Sequence, residues 1–121
     1  MEIQFLDHVA IRVKDIHKSA EWYEEVLGLK KVQPEEWKPF PAFVLAGETG
    51  VALFPKKDEN DTGRVDHFAF RVSKDDLEEA QARLKERGID FDFQDHKYYH
   101  SVYFYDPDGH QVELTAKIMD F

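Results

Sequence analysis

The chain has 121 residues, of which 42% are hydrophobic, a size and composition that fit one domain with its own core. Its formal charge of −9 and pI near 5.0 argue against binding to a nucleic-acid phosphate backbone. It contains no cysteine, which excludes disulfides and zinc–thiolate sites, and no apolar run nears the ~18 residues of a membrane span, so we expect a cytoplasmic protein.

The first half of the chain alternates apolar and polar residues and then changes to a helical period. The stretch "DHVAIRV" at 7–13 predicts a strand whose Val9, Ile11 and Val13 share one wholly apolar face. The next stretch, "DIHKSAEWYEEVLGL", predicts a helix that covers this face and ends at Gly28. Three short strands are predicted after it, at 29–32, 42–46 and 51–54.

The second half repeats this order after a polar linker at 55–64. The stretch "DHFAFRV" stands 59 positions after its first copy, and a helix follows from the N-cap Ser73 to Gly88. Strands are predicted at 90–93, 101–106 and 111–116, and the turn "DPDG" at 106–109 joins the last two. We divide the chain into module one (1–54), the linker (55–64), module two (65–116) and a short tail (117–121).

Two βαβββ modules in one chain predict an α+β fold in which the modules pair. Each module alone has an open sheet edge that the other can cover. We therefore expect a cup-like half-barrel with its helices on the outer side. Phe68, Phe70 and Val72 meet the helices together with the apolar face of the first copy, while His8 and His67 point into the cup.

The last predicted strand carries a carboxylate on the same face as the two histidines. Glu113 shares its face with Gln111 and Thr115, whereas its neighbours Val112 and Leu114 are apolar and face the helices. Two imidazoles and one carboxylate from three strands form a facial triad, which binds a divalent first-row metal and leaves positions open for substrate. The alternative is that all three are structural, but a carboxylate facing two histidines is costly unless it is paired or binds a metal.

At these residues the chain resembles the vicinal oxygen chelate superfamily, which includes glyoxalase I, methylmalonyl-CoA epimerase, extradiol dioxygenases, fosfomycin-resistance enzymes and metal-free bleomycin-binding proteins. "LDHVAIRVKDIHKSAEWYEEVLGL" is similar to the family's first strand and helix, and "SVYFYDPDGHQVELT" to its C-terminal hairpin. The resemblance implies the paired βαβββ fold, a homodimer and a small-molecule substrate. It also implies one divalent metal ion per chain on His8, His67 and Glu113, with Fe(II) or Mn(II) favoured and Zn(II) or Ni(II) as further candidates.

Glyoxalase I and the epimerase resemble each other in a fourth protein ligand from the last strand of the first module. Setting Phe43 against Tyr103 and running forward without a gap puts Leu53 over Glu113, with Ala52 beside it. Neither Leu53 nor Ala52 can bind a metal or accept a proton. Isomerase chemistry of this kind is therefore disfavoured.

Extradiol dioxygenases are the favoured subfamily. His96, Tyr103, the D-P-x-G turn and Glu113 resemble that subfamily's signature, although Gln94 departs from it. The resemblance implies that His96 acts as acid or base on substrate oxygen and that Tyr103 hydrogen-bonds the chelated hydroxyl. His100 competes for the role of His96, although strand parity with Tyr103 places it on the helix side.

Fosfomycin-resistance enzymes, which add a nucleophile to an epoxide, are the first alternative. They resemble this chain in the three metal ligands and in the serine and tyrosine at Ser101 and Tyr103, which makes Ser101 a candidate substrate contact. Ala10, Phe93 and Lys97 stand where the resemblance places further phosphonate-binding groups. This departure puts fosfomycin itself in doubt as the substrate.

Two arginines and a second class of function complete the predictions. Arg12 and Arg71 share a face with the histidines and are candidates for binding an anionic substrate group, the alternative being that both are solvated at the rim. From a different class, the chain could be a metal-free protein that binds a drug or metabolite. The intact set of His8, His67 and Glu113 argues against that alternative, because a binder would have no need to keep it.

Overall fold

The computed structural model describes residues 1–107 and 109–121, and their elements follow the order β-α-β-β-β twice. In chain order these elements are β1 (Phe5–Val13), α1 (Ile16–Leu27), β2 (Lys30–Val32), a 3₁₀ turn (Glu35–Trp37), β3 (Ala42–Ala46), β4 (Thr49–Pro55), β5 (Val65–Arg71), α2 (Lys74–Glu86), β6 (Asp92–Asp95), β7 (Tyr99–Tyr105) and β8 (Gln111–Lys117). The predicted α+β fold of two βαβββ modules is confirmed. Within the described ranges, neither helix has the length and apolar character needed to cross a membrane.

Both helices begin and end where their capping residues predict. The Asp15 carboxylate accepts from the backbone N–H groups of His17 and Lys18 at the start of α1, and Gly28 follows its end with φ +70°. At the start of α2, the Ser73 hydroxyl accepts from the backbone N–H of Asp76. These caps satisfy backbone groups that a helix end leaves without partners.

One predicted strand is misplaced. The strand predicted at 90–93 lies at Asp92–Asp95, because its bounds are set by antiparallel pairing with β7, in which Asp92 lies opposite Tyr103. Phe91 precedes the strand and packs against the hydrophobic core. The "DPDG" turn predicted at 106–109 includes position 108, which lies outside the described residues; on either side of it, the Asp106 N–H donates to the carbonyl of His110.

The chain forms two compact units, which we call the N-terminal unit (His8–Asp66) and the C-terminal unit (Met1–Asp7 with His67–Phe121). In the N-terminal unit, β1 pairs in parallel with β4, and β4, β3 and β2 follow as antiparallel neighbours. In the C-terminal unit, β5 pairs in parallel with β8, and β8, β7 and β6 follow in the same way. The strand order is therefore β2-β3-β4-β1 in the N-terminal unit and β5-β8-β7-β6 in the C-terminal unit.

Each unit packs its helix against the apolar face of its own strands. The N-terminal core comprises Ile16, Ala20, Ala42, Val44 and Leu53, with Ile11 and Val13 packed against it. The C-terminal core comprises Val72, Leu77, Ala80, Leu84, Val102, Leu114 and Ala116, with Phe70 packed against it. Ile11, Val13, Phe70 and Val72 therefore pack in the cores beneath the helices as predicted, whereas the described core clusters do not include Val9 or Phe68. This packing leaves the opposite face of each strand set for polar or functional side chains.

Candidate functional site

A buried histidine–carboxylate pair lies on the opposite face of the C-terminal unit. β5 and β8 run in parallel with Ala69 opposite Glu113, and His67 stands two residues before Ala69 on the same face. His67 Nε2 lies 3.1 Å from Glu113 Oε1, and the two side chains are only 7% and 3% exposed. A buried carboxylate is costly without compensating contacts, so the site must supply Glu113 with a partner, and His67 is one such partner.

Two hydroxyl groups extend the pair along β7 and β8. Ser101 Oγ donates to Glu113 Oε2 at 2.7 Å, and Ser101 Oγ lies 2.9 Å from Thr115 Oγ1. All three residues are buried. The sequence predicted Ser101 as a substrate contact, but its hydroxyl proton is directed to the carboxylate. Ser101 lies opposite Thr115 on the neighbouring strand, a pairing that strand parity would have predicted from the sequence.

Tyr103 and His96 lie beside this network. Tyr103 is the direct cross-strand partner of Glu113, and its Oη lies 2.9 Å from His96 Nε2, with the tautomer of His96 deciding which group donates. Burial, and then the negative charge of Glu113, raises the pKa of Tyr103 far above its usual value. Tyr103 is therefore a neutral phenol near pH 7 and can donate a hydrogen bond. The structure thus brings His96 to Tyr103, whereas a catalytic role for His96 stays a prediction.

His100 lies on the other face of β7. Its ring packs edge-on against Phe93 at 5.4 Å, and its Nε2 lies 3.6 Å from Asp95 Oδ1. It lines a cavity together with Lys74 and Leu77 of α2. The placement on the helix side agrees with the parity prediction, so His100 is not part of the cluster around Tyr103.

In the N-terminal unit, His8 is buried on β1 with an aromatic neighbour. The ring of Phe43 packs edge-on against His8 with 5.1 Å between ring centroids, and Trp37 in turn lies 5.2 Å from Phe43. His8 is only 6% exposed. Within this unit His8 therefore has an aromatic ring beside it, whereas Glu113 has the hydroxyl group of Ser101 beside it.

The strand register corrects the residue predicted to stand opposite Glu113 in the repeat. Ala10 pairs with Ala52, just as Ala69 pairs with Glu113, so the equivalent of Glu113 is Ala52. Leu53 instead belongs to the core beneath α1. The prediction that Leu53 occupies this position was wrong. Between equivalent paired residues, the β3–β4 hairpin is one residue shorter than the β7–β8 hairpin. The consequence of the prediction is unchanged, since an alanine offers no fourth ligand and no base.

The two arginines predicted as anion-binding groups both engage aspartates. Arg71 Nε donates to Asp7 Oδ2, and the guanidinium lies over the rings of Phe5 and Tyr99 at 4.9 and 5.2 Å. Arg12 donates to Asp66 Oδ1 at 3.1 Å through Nη2 and to the carbonyl of Pro55. The role of either arginine in substrate binding stays a prediction. Neither ion pair was predicted from the sequence.

A family comparison matches most of the chain. The model of the Glyoxalase/Bleomycin resistance protein/Dioxygenase superfamily matches residues 5–114. The chain is similar to the glutathione transferase FosA of Serratia marcescens, with 32% identity across 93% of this chain and 80% of that protein. It is also similar to the metallothiol transferase FosB of Staphylococcus saprophyticus, with 33% identity across 98% and 81% of the two chains. These relatives favour the transferase alternative over the dioxygenase.

Solved structures share the fold at lower sequence identity. The methylmalonyl-CoA epimerase of Mycobacterium tuberculosis has 21% identity and a TM-score of 0.74 over 97% of this chain and 90% of its own. The 2,3-dioxygenase LapB of Pseudomonas sp. KL28 has 22% identity and a TM-score of 0.78 over 95% of this chain, which spans 41% of LapB. Because both identities are low, these likenesses establish the fold alone.

Proposed function

This chain belongs to the Glyoxalase/Bleomycin resistance protein/Dioxygenase superfamily, and we propose that it is a metal-dependent transferase. It adds a thiol to a small electrophile, of the epoxide class, that binds the metal through adjacent oxygens. The observation that carries the proposal is the buried Glu113 carboxylate, which is held between His67 and Ser101 in a chain similar to thiol transferases. The proposal is therefore supported both by the contacts of Glu113 and by the similarity to thiol transferases.

His8, His67 and Glu113 would hold one divalent metal ion. All three side chains are buried. Among residues 1–107 and 109–121, they form the one group of at least three histidine or acidic side chains that could hold a metal ion. Two imidazole nitrogens and one carboxylate oxygen suit Mn(II) and Fe(II), and the ion's charge would offset the cost of burying the carboxylate. When bound, the ion supplies Lewis acidity to the substrate oxygens.

Ser101 and Thr115 position the carboxylate. Ser101 donates to the Glu113 oxygen that does not face His67, so the carboxylate is contacted on both oxygens. Thr115 lies within hydrogen-bond distance of Ser101 and limits the rotation of its hydroxyl. Partners of this kind orient a ligand before the metal arrives.

Tyr103 would act as a hydrogen-bond donor to the substrate beside Glu113. Opening an epoxide by a thiol forms a carbon–sulfur bond, breaks a carbon–oxygen bond and returns the thiol proton to the freed oxygen. As a neutral phenol on the rung of Glu113, Tyr103 can donate to that oxygen while the charge develops. The thiol itself is inferred from the names of the relatives, glutathione transferase and metallothiol transferase.

One observation favours extradiol ring cleavage as a second candidate. His96 Nε2 lies 2.9 Å from the Tyr103 hydroxyl, so an acid–base group and a phenol stand together beside Glu113. Such a pair could exchange protons with a catecholic substrate. We rank this function second because the relatives described above with more than 30% identity are transferases, whereas the dioxygenase LapB has 22% identity.

The two candidates are separated by one panel of reactions. Protein loaded anaerobically with Mn(II) or Fe(II) is given glutathione or cysteine with either fosfomycin or phenylglycidate, and separately catechol with oxygen. The proposal predicts a thiol adduct by mass spectrometry that requires metal, disappears in Glu113→Gln and persists in the exposed control Glu79→Gln. Ring cleavage of catechol without any adduct would establish the second candidate instead. Absence of both reactions, with no metal bound, would leave a small-molecule binding protein.

A further inference from the structure

The N-terminal unit carries two pairs of aromatic side chains, which we together call the aromatic wall (Trp37 with Phe43, and Phe40 with Phe54). Trp37 and Phe43 lie 5.2 Å apart between ring centroids, and Phe40 and Phe54 lie 6.2 Å apart. None of the four is fully buried. They are thus not simply core residues, because each keeps part of its ring available to another molecule.

Strand register places the wall on the face of His8. Phe43 pairs with Ala52 and Ala52 with Ala10, so all three share the face of His8, which stands two residues before Ala10. Phe54, two residues after Ala52, is on the same face. The edge-on contact of Phe43 with His8, at 5.1 Å, connects the wall directly to the histidine.

The segment that carries Trp37 and Phe40 is held in position. The side-chain amide of Gln33 donates to the carbonyls of both Pro39 and Pro41, each at 3.2 Å. Two bonds from one amide close the segment between β2 and β3. Trp37 and Phe40 are therefore fixed by their own loop and do not depend on a ligand for their placement.

Two cations near the wall, Arg12 and Lys38, are each paired with a carboxylate, and Lys38 Nζ lies 2.9 Å from Glu35 Oε2. The Arg12 guanidinium lies over the ring of Phe54 at 5.0 Å and donates to Asp66 from both Nε and Nη2. Ala10, two residues after His8 on β1, adds no polar group to this face. The wall is consequently apolar and close to neutral, which is unfavourable for a doubly charged phosphonate group and favourable for an apolar one.

From these contacts we infer that the site selects substrates with an apolar, aromatic substituent beside the metal-binding oxygens. The substituent packs on Phe43 and Trp37 while the oxygens face the ligands of the proposed metal. This inference rests on the proposed function, since it concerns the same site. It separates the substrate class of this protein from small phosphonates such as fosfomycin.

Two hydroxamates that differ only in their substituent test the inference. Benzohydroxamate and acetohydroxamate both chelate metals through two adjacent oxygens, and their affinities for Mn(II)-loaded protein are measured by calorimetry and corrected for their affinities for free Mn(II). We expect the benzohydroxamate to bind about tenfold more tightly. Phe43→Ala and Trp37→Ala should bring the ratio of the two corrected affinities close to one. Trp22→Ala, an exposed aromatic residue on α1, should preserve the preference.

The outcomes distinguish the inference from the function on which it rests. Equal binding of the two hydroxamates, with metal bound, would overturn the inference and leave the metal site standing. A preference that survives in both wall variants would also overturn it, because the ring would then bind elsewhere. If the unmodified protein bound neither Mn(II) nor either hydroxamate, the proposed function would be overturned and the inference with it. Thermal unfolding and Phe43→Leu, which retains an apolar side chain, identify any variant that fails through misfolding.

Discussion

The two units share one backbone plan and differ in what they place on the face opposite the helix. At the equivalent rung, the N-terminal unit has Ala10, Ala52 and Phe43, and the C-terminal unit has Ala69, Glu113 and Tyr103. One rung further on, Phe54 takes the position of Thr115. The two copies have therefore diverged on this face: the C-terminal unit places a carboxylate and hydroxyl groups there, and the N-terminal unit places alanine and phenylalanine side chains there.

Each unit also contains one of two equivalent Asp–Arg ion pairs, and the two pairs differ in burial. Asp7 and Asp66 each precede a repeated histidine, and each pairs with the arginine of the other repeat copy, Arg71 and Arg12. The Arg71–Asp7 side chains are 6% and 5% exposed, whereas those of Arg12 and Asp66 are 18% and 20% exposed. The equivalent pairs should therefore differ in their effect on stability.

The largest expected effect is the loss of the buried pair. Asp7→Ala leaves the Arg71 guanidinium buried without its carboxylate and should lower the free energy of unfolding by about 3–5 kcal/mol. The matched change Asp66→Ala, at the more exposed pair, should cost only about 0–1 kcal/mol. Urea unfolding of both variants measures the difference. Equal losses would show that burial does not distinguish the two pairs.

A second stability effect tests the corrected register of β4. Leu53→Ala removes a buried side chain beneath α1 and should cost about 2–5 kcal/mol in unfolding free energy. Ala52→Ser, one residue earlier on the opposite face, should cost far less and leave the helix packing intact. The same denaturation series compares them. If Ala52→Ser proved as costly as Leu53→Ala, the assignment of faces would be in error.

The hydroxyl network of the C-terminal unit should act on metal affinity more than on the fold. Ser101→Ala removes the donor to Glu113 Oε2 and should weaken Mn(II) binding by about 10–100-fold. Its counterpart in the other unit, judged by strand register, is Pro41, which donates nothing. A competition titration with a fluorescent chelator gives the affinity. Unchanged affinity with an intact fold would mean that Ser101 does not position the carboxylate.

The smallest effect concerns the alkaline limb of the stability curve. Because the pKa of Tyr103 is raised in the folded protein, its neutral form stabilises the fold below the ordinary tyrosine pKa of 10.0. Above that pH the unfolded chain releases the proton first, so stability falls by up to about 1.4 kcal/mol per pH unit. Tyr103→Phe should show a shallower fall between pH 10 and about pH 11.5. Parallel curves for the two proteins would contradict the raised pKa.

The sequence predicted the repeated βαβββ order because alternation, helical periodicity and capping residues are local signals. The position of Ala52 was missed because it depends on hairpin length. Phe43 and Ala52 are nine positions apart, whereas Tyr103 and Glu113 are ten apart, which an alignment without gaps cannot represent. β6 was predicted two residues too early for a similar reason, since its bounds are set by its pairing with β7 and not by its own pattern.

The candidate site was predictable to a different degree in each unit. Parity placed Glu113 and Tyr103 on one face, and their cross-strand pairing confirms that placement. The aspartate partners of Arg12 and Arg71 were not predictable from parity, because they depend on contacts between segments 54 and 64 residues apart in the chain. The contact of Phe43 with His8 likewise depends on how β3 and β4 bring the two residues together.

The most direct test of the account is the metal content of the purified chain. The protein and four variants are loaded with Mn(II) or Fe(II) without air, desalted and analysed for metal by mass spectrometry. We expect about one ion per chain in the unmodified protein and in the exposed controls His17→Ala and Glu79→Ala, and none in His8→Ala or Glu113→Ala. Full metal content in His8→Ala or Glu113→Ala, or none in the unmodified protein, would contradict the proposed metal site.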